Sequence, residues 1–504
     1  GRETPCVGRT REIAALLGPF DECVDERSPR VALVTGAAGV GKSRLRHEVA
    51  QALARHPRGP KLWLSRGDPV GGDSAFRLLL ELARAAGDAE SVSALMRQDE
   101  PHSAWRDPQV RAQRIHEAWE ALLRAECSQA PLVVMLDDLS WCDAASLACL
   151  DDALRNLEGS PLLVLAFGRV DVHERFPGLW QKRALLELGL GPLSTRAQIQ
   201  LATLLLGPDA DPAVAPHIAA LAAGNAFYLE ELVRAVVSGR GDTLPDTVLA
   251  MAQSRFAALP GSDRRLLRAA SIFGGPFWPE GLRCLLGADA RPAEIERELE
   301  RLCHDEVLQR DRDSAMPSST QWSFPQALLR EAAYHALTED DRLLGHRLAA
   351  EWLESVGVED PAVLAHHWAH AGEHERARGA FVAAAWTAFA AGDPRVVRRF
   401  AERALTEGAR DELMGEACFL LGAAARWKGD LEHSLELHER SLELLPRAGD
   451  LWRAAALRVA ATAAALGRRA RFLELAEVLA GAADPGDGRN VVLHEFAHQI
   501  DQDS

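Results

Sequence analysis

The sequence predicts an α/β core of the P-loop NTPase class, a parallel sheet with helices on both faces, followed by a mostly α-helical remainder. Three observations carry this. A G-x-x-x-x-G-K-S phosphate loop, Gly36-Ala37-Ala38-Gly39-Val40-Gly41-Lys42-Ser43, stands between a short apolar run and a helical stretch. A second apolar run, Leu132 to Leu136, ends in the acid pair Asp137-Asp138. Beyond about residue 194 strand-like runs give way to helical patterning, later broken by Gly-Asp turns.

The first strand is Val31 to Thr35, and Arg44 to Ala50 reads as the helix after the loop. Glycines let backbone N–H groups turn inward around a phosphate, and the helix N-terminus adds partial positive charge. In that geometry Lys42 reaches the outer phosphates and Ser43 holds Mg2+. The composition sharpens the signal. Of the 57 basic residues only four are lysine, and one of them is placed here.

A phosphate loop needs a second acid to organise Mg2+ and water. Leu132 to Leu136 reads as a central strand buried on both faces, with the acids emerging at its carboxyl end, where open α/β sheets bind ligands. Asp137 is expected in the Mg2+ water shell, and Asp138 is expected to polarise an attacking water. Lys61 to Ser65, Leu162 to Phe167 and Leu185 to Leu188 supply further strands with helices between them. Arg169 follows the fourth strand directly, as a sensor of the terminal phosphate or as one of many surface arginines.

At 504 residues the chain is too long for one core, so three or four domains are expected. The formal net charge of −16 disfavours contact with nucleic-acid backbones, and no local basic face stands out. No apolar run approaches the ~20 residues of a membrane span. The start, Gly-Arg-Glu-Thr-Pro-Cys, is not a signal peptide and lacks an initiator Met, which reads as a processed chain or a fragment. The eight cysteines form no C-x-x-C pair and read as reduced thiols of a cytoplasmic protein.

Several segments recur in a familiar order: Val7-Gly8-Arg9-Thr10-Arg11-Glu12, the phosphate loop, Leu136-Asp137-Asp138-Leu139-Ser140-Trp141, Gly224-Asn225-Ala226-Phe227, and Leu244-Pro245-Asp246-Thr247-Val248. Together they resemble the signal-transducing ATPases with numerous domains (STAND), in the branch of large LuxR-type regulators and cyclase- or kinase-linked ATPases. The resemblance covers roughly residues 5–345. It implies Mg2+-ATP as ligand, Val7, Gly8 and Arg9 lying against the adenine, a helical lid whose Gly-Asn-Pro-Phe segment approaches the nucleotide, and oligomerisation on activation. This chain departs from the pattern at three places. Ala226 replaces the lid proline, Ser140 replaces a histidine of the Asp-Asp-x-His-Trp segment, and Phe324-Pro325-Gln326 replaces Phe-x-His.

The expected organisation is an ATPase core (1–193), a lid (194–241) and a winged-helix-like domain (242–345). The last has one short β-like interruption, Val307 to Arg310 and Trp322 to Phe324. The Gly239-Arg240-Gly241-Asp242 stretch reads as a linker. From 346 to 470 the pattern is all-helical. Gly392-Asp393, Gly429-Asp430 and Gly467 lie 37 and 38 residues apart, as in tetratricopeptide-type repeats that offer a surface to a protein partner, or in a plain helical bundle.

A second chemistry is written at the C-terminus. His494-Glu495-Phe496-Ala497-His498 is an H-E-x-x-H motif; on a helix its histidines face one way and can share Zn2+, with Glu495 beside them as general base. Residues 471–504 resemble the Mlc titration factor A family of zinc peptidases, whose third ligand lies further downstream. Three functions follow: an ATP-driven signalling switch, a zinc peptidase with an ATPase regulatory arm, and a scaffold that holds nucleotide without turnover.

Overall fold

The protein is described by a computed structural model, which covers residues 6–482 except 69, 71–73, 88–107, 209, 238–247, 288–289, 306, 312–313, 315, 317–318, 359 and 448. The expected linker at 239–242 and the zinc motif at 494–498 lie outside the described residues. The chain falls into two compact units that part near Asp360.

The first unit begins with a five-stranded parallel sheet: β1 (Arg30–Gly36), β2 (Lys61–Arg66), β3 (Leu132–Asp137), β4 (Leu162–Gly168) and β5 (Leu185–Leu190). Their order is β2-β3-β4-β1-β5, with Val31 beside both Val164 and Leu185, and Val134 beside both Trp63 and Val164. Strands β3 and β4 are buried along their whole length, which is why they read as continuous apolar runs without alternation. One face is covered by α1 (Thr10–Asp25) and α2 (Lys42–Ala54). There Leu16, Phe20, Leu45, Val49 and Leu53 pack on Ala32, Val34, Met135, Leu163 and Leu165. Each such leucine contributes about 1.5–3 kcal/mol of transfer free energy.

The alternate residues face the other side, where Trp63 meets Trp119 of α4 (Pro108–Gln129) at 6.2 Å between ring centroids. Two more helices there, α3 (Arg77–Ala85) and α5 (Ala144–Asn156), share one buried carboxylate. Asp143 caps α5 by accepting from Ser146 N (2.8 Å), and also accepts from Phe76 N (2.9 Å) and Leu78 N (3.2 Å) at the start of α3. Burial raises its pKa, against the hydrogen bonds that favour the ionised form.

After a short turn, α6 (Val172–Arg175), come α7 (Thr195–Leu206), α8 (Val214–Ala222) and α9 (Ala226–Val237), which share a core of Leu201, Ile218, Leu229 and Leu232. Then follow α10 (Val248–Ala258), α11 (Gly261–Ile272), α12 (Pro279–Leu286) and α13 (Pro292–His304), the antiparallel pair β6 (Gln309–Arg310) and β7 (Trp322–Ser323), α14 (Ala327–His335) and α15 (Glu339–Ser355). The expected β interruption is present, though each strand is only two residues long. The expected boundary at 345/346 is corrected. It falls inside α15, whose Trp352 stacks edge-on against Phe273 at 5.8 Å and tilts against Trp278 at 5.7 Å, so this helix belongs to the first unit.

The second unit is an array in which each helix packs on the next: α16 (Pro361–His370), α17 (His374–Ala390), α18 (Pro394–Thr406), α19 (Asp411–Trp427), α20 (Leu431–Leu444), α21 (Asp450–Ala465) and α22 (Arg469–Ala482). The Gly-Asp signals act as punctuation here. Gly392 and Gly429 adopt φ of +72° and +82° past the ends of α17 and α19, and Asp393 and Asp430 cap the helices that follow.

Candidate nucleotide-binding site

The phosphate loop leaves β1 and turns into α2 within a few residues. Gly39 (φ +79°) and Gly41 (φ +101°) sit in left-handed backbone that a side chain would strain. A Cβ on Gly39 would also lie 2.6 Å from Asn225 Oδ1. Lys42 starts α2 and donates to Gly36 O (2.8 Å) and Ala37 O (2.9 Å). Burial lowers its pKa, opposed by Asp138, Asp137 and Asp171 and assisted by Arg169. Both acids, Asp171 and Arg169 thus lie near enough for their charges to act on Lys42. Ser43 is exposed on the first turn of α2.

The strand order explains the convergence. Because β4 lies between β1 and β3, Arg169 at its carboxyl end sits between the phosphate loop and Asp137. Asp137 is buried and paired with Arg46 Nε at 3.1 Å. Asp138, at φ +51°, accepts from Arg66 Nε at 2.9 Å, and Arg66 Nη2 lies 2.8 Å from the same carboxylate oxygen as an ion pair. Burial works against the Arg66 charge, but Asp138 and Asp137 outweigh it and its pKa is raised. Arg66 Nη1 also donates to Phe324 O at 3.3 Å. Nearby, partly buried Arg330 of α14 donates to Gly274 O (2.7 Å), and desolvation lowers its pKa.

The Val7-Gly8-Arg9 segment braces the loop. Val7 packs on the α7–α9 core. Gly8 (φ +74°) lies so close to α7 that a Cβ would come within 2.5 Å of Ala197 Cβ. Arg9 is buried, donating to Gly191 O (2.6 Å), Val40 O (3.3 Å) and Glu12 Oε1 (2.9 Å). Its guanidinium is thus engaged with protein, a role that the resemblance did not assign.

The helices after the sheet also touch the loop. Asn225 Nδ2 donates to Ala38 O (3.3 Å), and Phe227 N donates to Gly39 O (3.1 Å). Asn225 Oδ1 meanwhile caps α9 through Tyr228 N (3.0 Å). The Ala226 departure leaves this clasp intact, because its neighbours make the contacts. Ser140, in the histidine position, donates to Asp171 Oδ1 (2.7 Å). Gln326 accepts from Arg255 (3.1 Å), which also pairs with buried Glu231 of α9 (2.8 Å).

The residues fit a nucleoside triphosphate with Mg2+: a glycine loop opening a helix, a lysine, a hydroxyl and a buried carboxylate stand together. Sequence reasoning missed Arg46, Arg66 and Arg330. Arg66 left a signal, as a polar residue ending a parallel strand; Arg46 and Arg330 are arginines on helices and left none. Among the described residues no group of three His, Cys, Asp or Glu side chains could hold a metal, and no helix is long and apolar enough to cross a membrane.

Residues 5–165 match the AAA ATPase domain family, a segment that takes in the phosphate loop, Asp137 and Asp138. An uncharacterized protein of Rhizobium meliloti (strain 1021) is 26% identical over 455 residues, covering 80% of this chain and 42% of its own length. The chain thus spans less than half of that relative. Among solved structures, the Aeropyrum pernix ORC1 protein in complex with DNA aligns with 66% of this chain and 94% of its own at 16% identity and a TM-score of 0.35. Drosophila ORC bound to DNA aligns with 66% and 87% at 14% identity and a TM-score of 0.32. A RuvB variant of Thermotoga maritima aligns with 66% and 96% at 16% identity and a TM-score of 0.30. The AAA ATPase match and the geometry of the phosphate loop agree on the nucleotide-binding core.

Proposed function

We propose that this chain is a Mg2+-ATP-dependent regulatory switch of the STAND type, in which nucleotide controls a helical partner-binding arm. The observation that carries the reading is the clasp on the phosphate loop: Asn225 and Phe227 hold the Ala38 and Gly39 carbonyls, while Arg66 ties Asp138 to Phe324. A ligand that reorders the loop therefore acts on both later segments. On this reading α7–α9 form the lid, α10–α15 with β6–β7 the winged-helix-like domain, and α16–α22 the tetratricopeptide-like arm. Lys42 and the loop N–H groups bind phosphate, Ser43 and Asp137 hold Mg2+, Asp138 orients water when released from Arg66, and Arg169 contacts the terminal phosphate. Mg2+ would supply charge neutralisation on the phosphates. Calorimetric titration of Mg2+-ATP should show Lys42→Ala weakening affinity on the order of tenfold or more; equal affinity would overturn the assignment.

The scaffold reading draws support from the Arg66–Asp138 pair, which occupies the acid that this reading assigns to activating water. Phosphate release from the wild type decides between the two. On the peptidase reading His494 and His498 are Zn2+ ligands, and by themselves two ligands leave two tetrahedral positions to be filled by others. Stoichiometric zinc surviving dialysis, with casein cleavage abolished by Glu495→Gln, would favour the peptidase instead.

A further inference from the structure

Helix α18 of the second unit carries four arginines and one glutamate, in a chain with 73 acidic residues against 57 basic. Its buried face is apolar, formed by Val397, Phe400, Ala401 and Ala404. Arg395, Arg399 and Arg403 are exposed and recur at i, i+4 and i+8, so they form one stripe about 12 Å long. Arg398 is exposed beside the stripe and pairs loosely with Glu402 at 3.9 Å. Arg403 pairs with Glu407 at 3.2 Å and still leaves 51% of its side chain in solvent.

The helix gains no stability from this arrangement. Like charges at i, i+4 repel, and Arg395 stands in the first turn, where the helix dipole favours anions. The position in the array does not demand a cation either. Asp393 and Asp430 cap α18 and α20 at equivalent points, 37 residues apart. That register sets Glu432 and Glu436 of α20 where α18 has Arg395 and Arg399, and all four are exposed. So α20 packs in the same array with the opposite charge. Its acids serve the array itself: Glu432 pairs with Arg468 and Glu439 with Arg471 (3.1 Å), both from the start of α22. The α18 stripe thus breaks a local rule without a structural return, which is the mark of a residue set kept for function.

We propose that the Arg395–Arg399–Arg403 stripe of α18 is a docking site for an acidic helix of a partner protein, one whose carboxylates also recur at i, i+4 and i+8. The inference rests on the reading of this unit as a partner-binding arm and names the chemistry that the arm recognises. Guanidinium groups about 6 Å apart along one helix match carboxylates at the same interval on a helix laid beside it, and each planar fork suits a carboxylate. Nucleic acid fits less well. A duplex extends far beyond a 12 Å stripe (about two helical turns of α18), and the rest of this chain, at a formal net charge of −16, repels it.

The test is fluorescence anisotropy on the full chain at low salt, with a labelled alanine–leucine helical peptide bearing glutamates at i, i+4 and i+8. Its twin has glutamines there, and an isomer carries the same glutamates on different faces of the helix. The acidic peptide should bind about tenfold more tightly than either, and the preference should shrink as salt screens the pairs. Arg395→Glu combined with Arg399→Glu, which installs what α20 carries, should abolish binding. Arg395→Gln with Arg399→Gln should abolish the preference, and Arg453→Ala on α21 should leave it. No binding, equal binding of the three peptides, or an unchanged preference in either double variant overturns the proposal. Competition by duplex DNA exceeding that by unlabelled acidic peptide, at equal concentration of anionic groups, overturns the choice of a protein partner. Both double variants should melt with the wild type. If only the glutamate variant melts lower, the glutamine variant decides; a clear drop in both makes the stripe structural and also overturns the proposal. Mg2+-ATP titration of the same chain reports on the switch separately. Normal nucleotide binding without peptide binding removes this site and leaves the switch, and the reverse removes the switch and leaves the site.

Discussion

Arg66 and Asp138 form a two-pronged ion pair at the carboxyl edge of the sheet, with Arg66 Nε and Nη2 at 2.9 and 2.8 Å from one carboxylate oxygen. The remaining Nη1 reaches Phe324 O, so one side chain joins the acid after β3 to the segment before α14. A carboxylate held this way is restrained from orienting water.

Releasing it should raise turnover. Arg66→Met is expected to speed phosphate release by roughly up to tenfold, a fraction of the ~10²–10⁴-fold that a positioned base contributes in full, with ATP affinity little changed. Asp138→Asn should lose turnover and keep binding, and the double variant should behave as Asp138→Asn. A fall in phosphate release for Arg66→Met would mean that the pair works as a unit and does not restrain.

The clasp on the phosphate loop should be separable from the loop itself. Asn225→Ala removes the cap of α9 and the bond to Ala38 O, at about 1 kcal/mol for the cap. Chemical denaturation should register that cost, and the nucleotide dependence of protease cleavage should diminish. Gly39→Ala is expected to be worse, because the residue has φ +79° and its Cβ would strike Asn225. It should lose Mg2+-ATP binding in calorimetry while far-ultraviolet circular dichroism stays native.

Asp143 holds the first turns of two helices. Asp143→Ala leaves the buried donors Phe76 N, Leu78 N and Ser146 N without their partner, so a loss of about 2–4 kcal/mol is expected from the cap and the unsatisfied groups together. Asp143→Asn should recover part of it, since burial already disfavours the charge. Urea unfolding midpoints measure both.

His438 should make the second unit acid-sensitive. Its Nδ1 faces Ser434 O at 2.8 Å, and its pKa is depressed from 6.5 to about 3. The unfolded chain therefore binds this proton first. The stability it contributes is complete above pH 6.5 and is lost as pH falls toward 3, by about 2 kcal/mol between pH 6.5 and 5. His438→Gln should flatten that slope in denaturation measured across this range. An unchanged slope would place the acid sensitivity elsewhere.

The sequence by itself determined the elements whose signals are local. An apolar run ending in Gly36, a loop that only glycines can turn, and five buried residues before Asp137 are legible because burial and backbone freedom act over a few neighbours. The Gly-Asp punctuation of the helical array is legible for the same reason. What only the tertiary structure decided is which distant groups meet. The β2-β3-β4-β1-β5 order, which sets Arg169 between the phosphate loop and Asp137, depends on crossovers that leave no local trace. The capture of Asp138 by Arg66 and the brace of Arg9 on Val40 and Gly191 join residues from 31 to 182 positions apart. In a chain whose basic residues are nearly all arginine, pattern alone does not distinguish these from the solvated majority; only burial and the identity of the neighbour do.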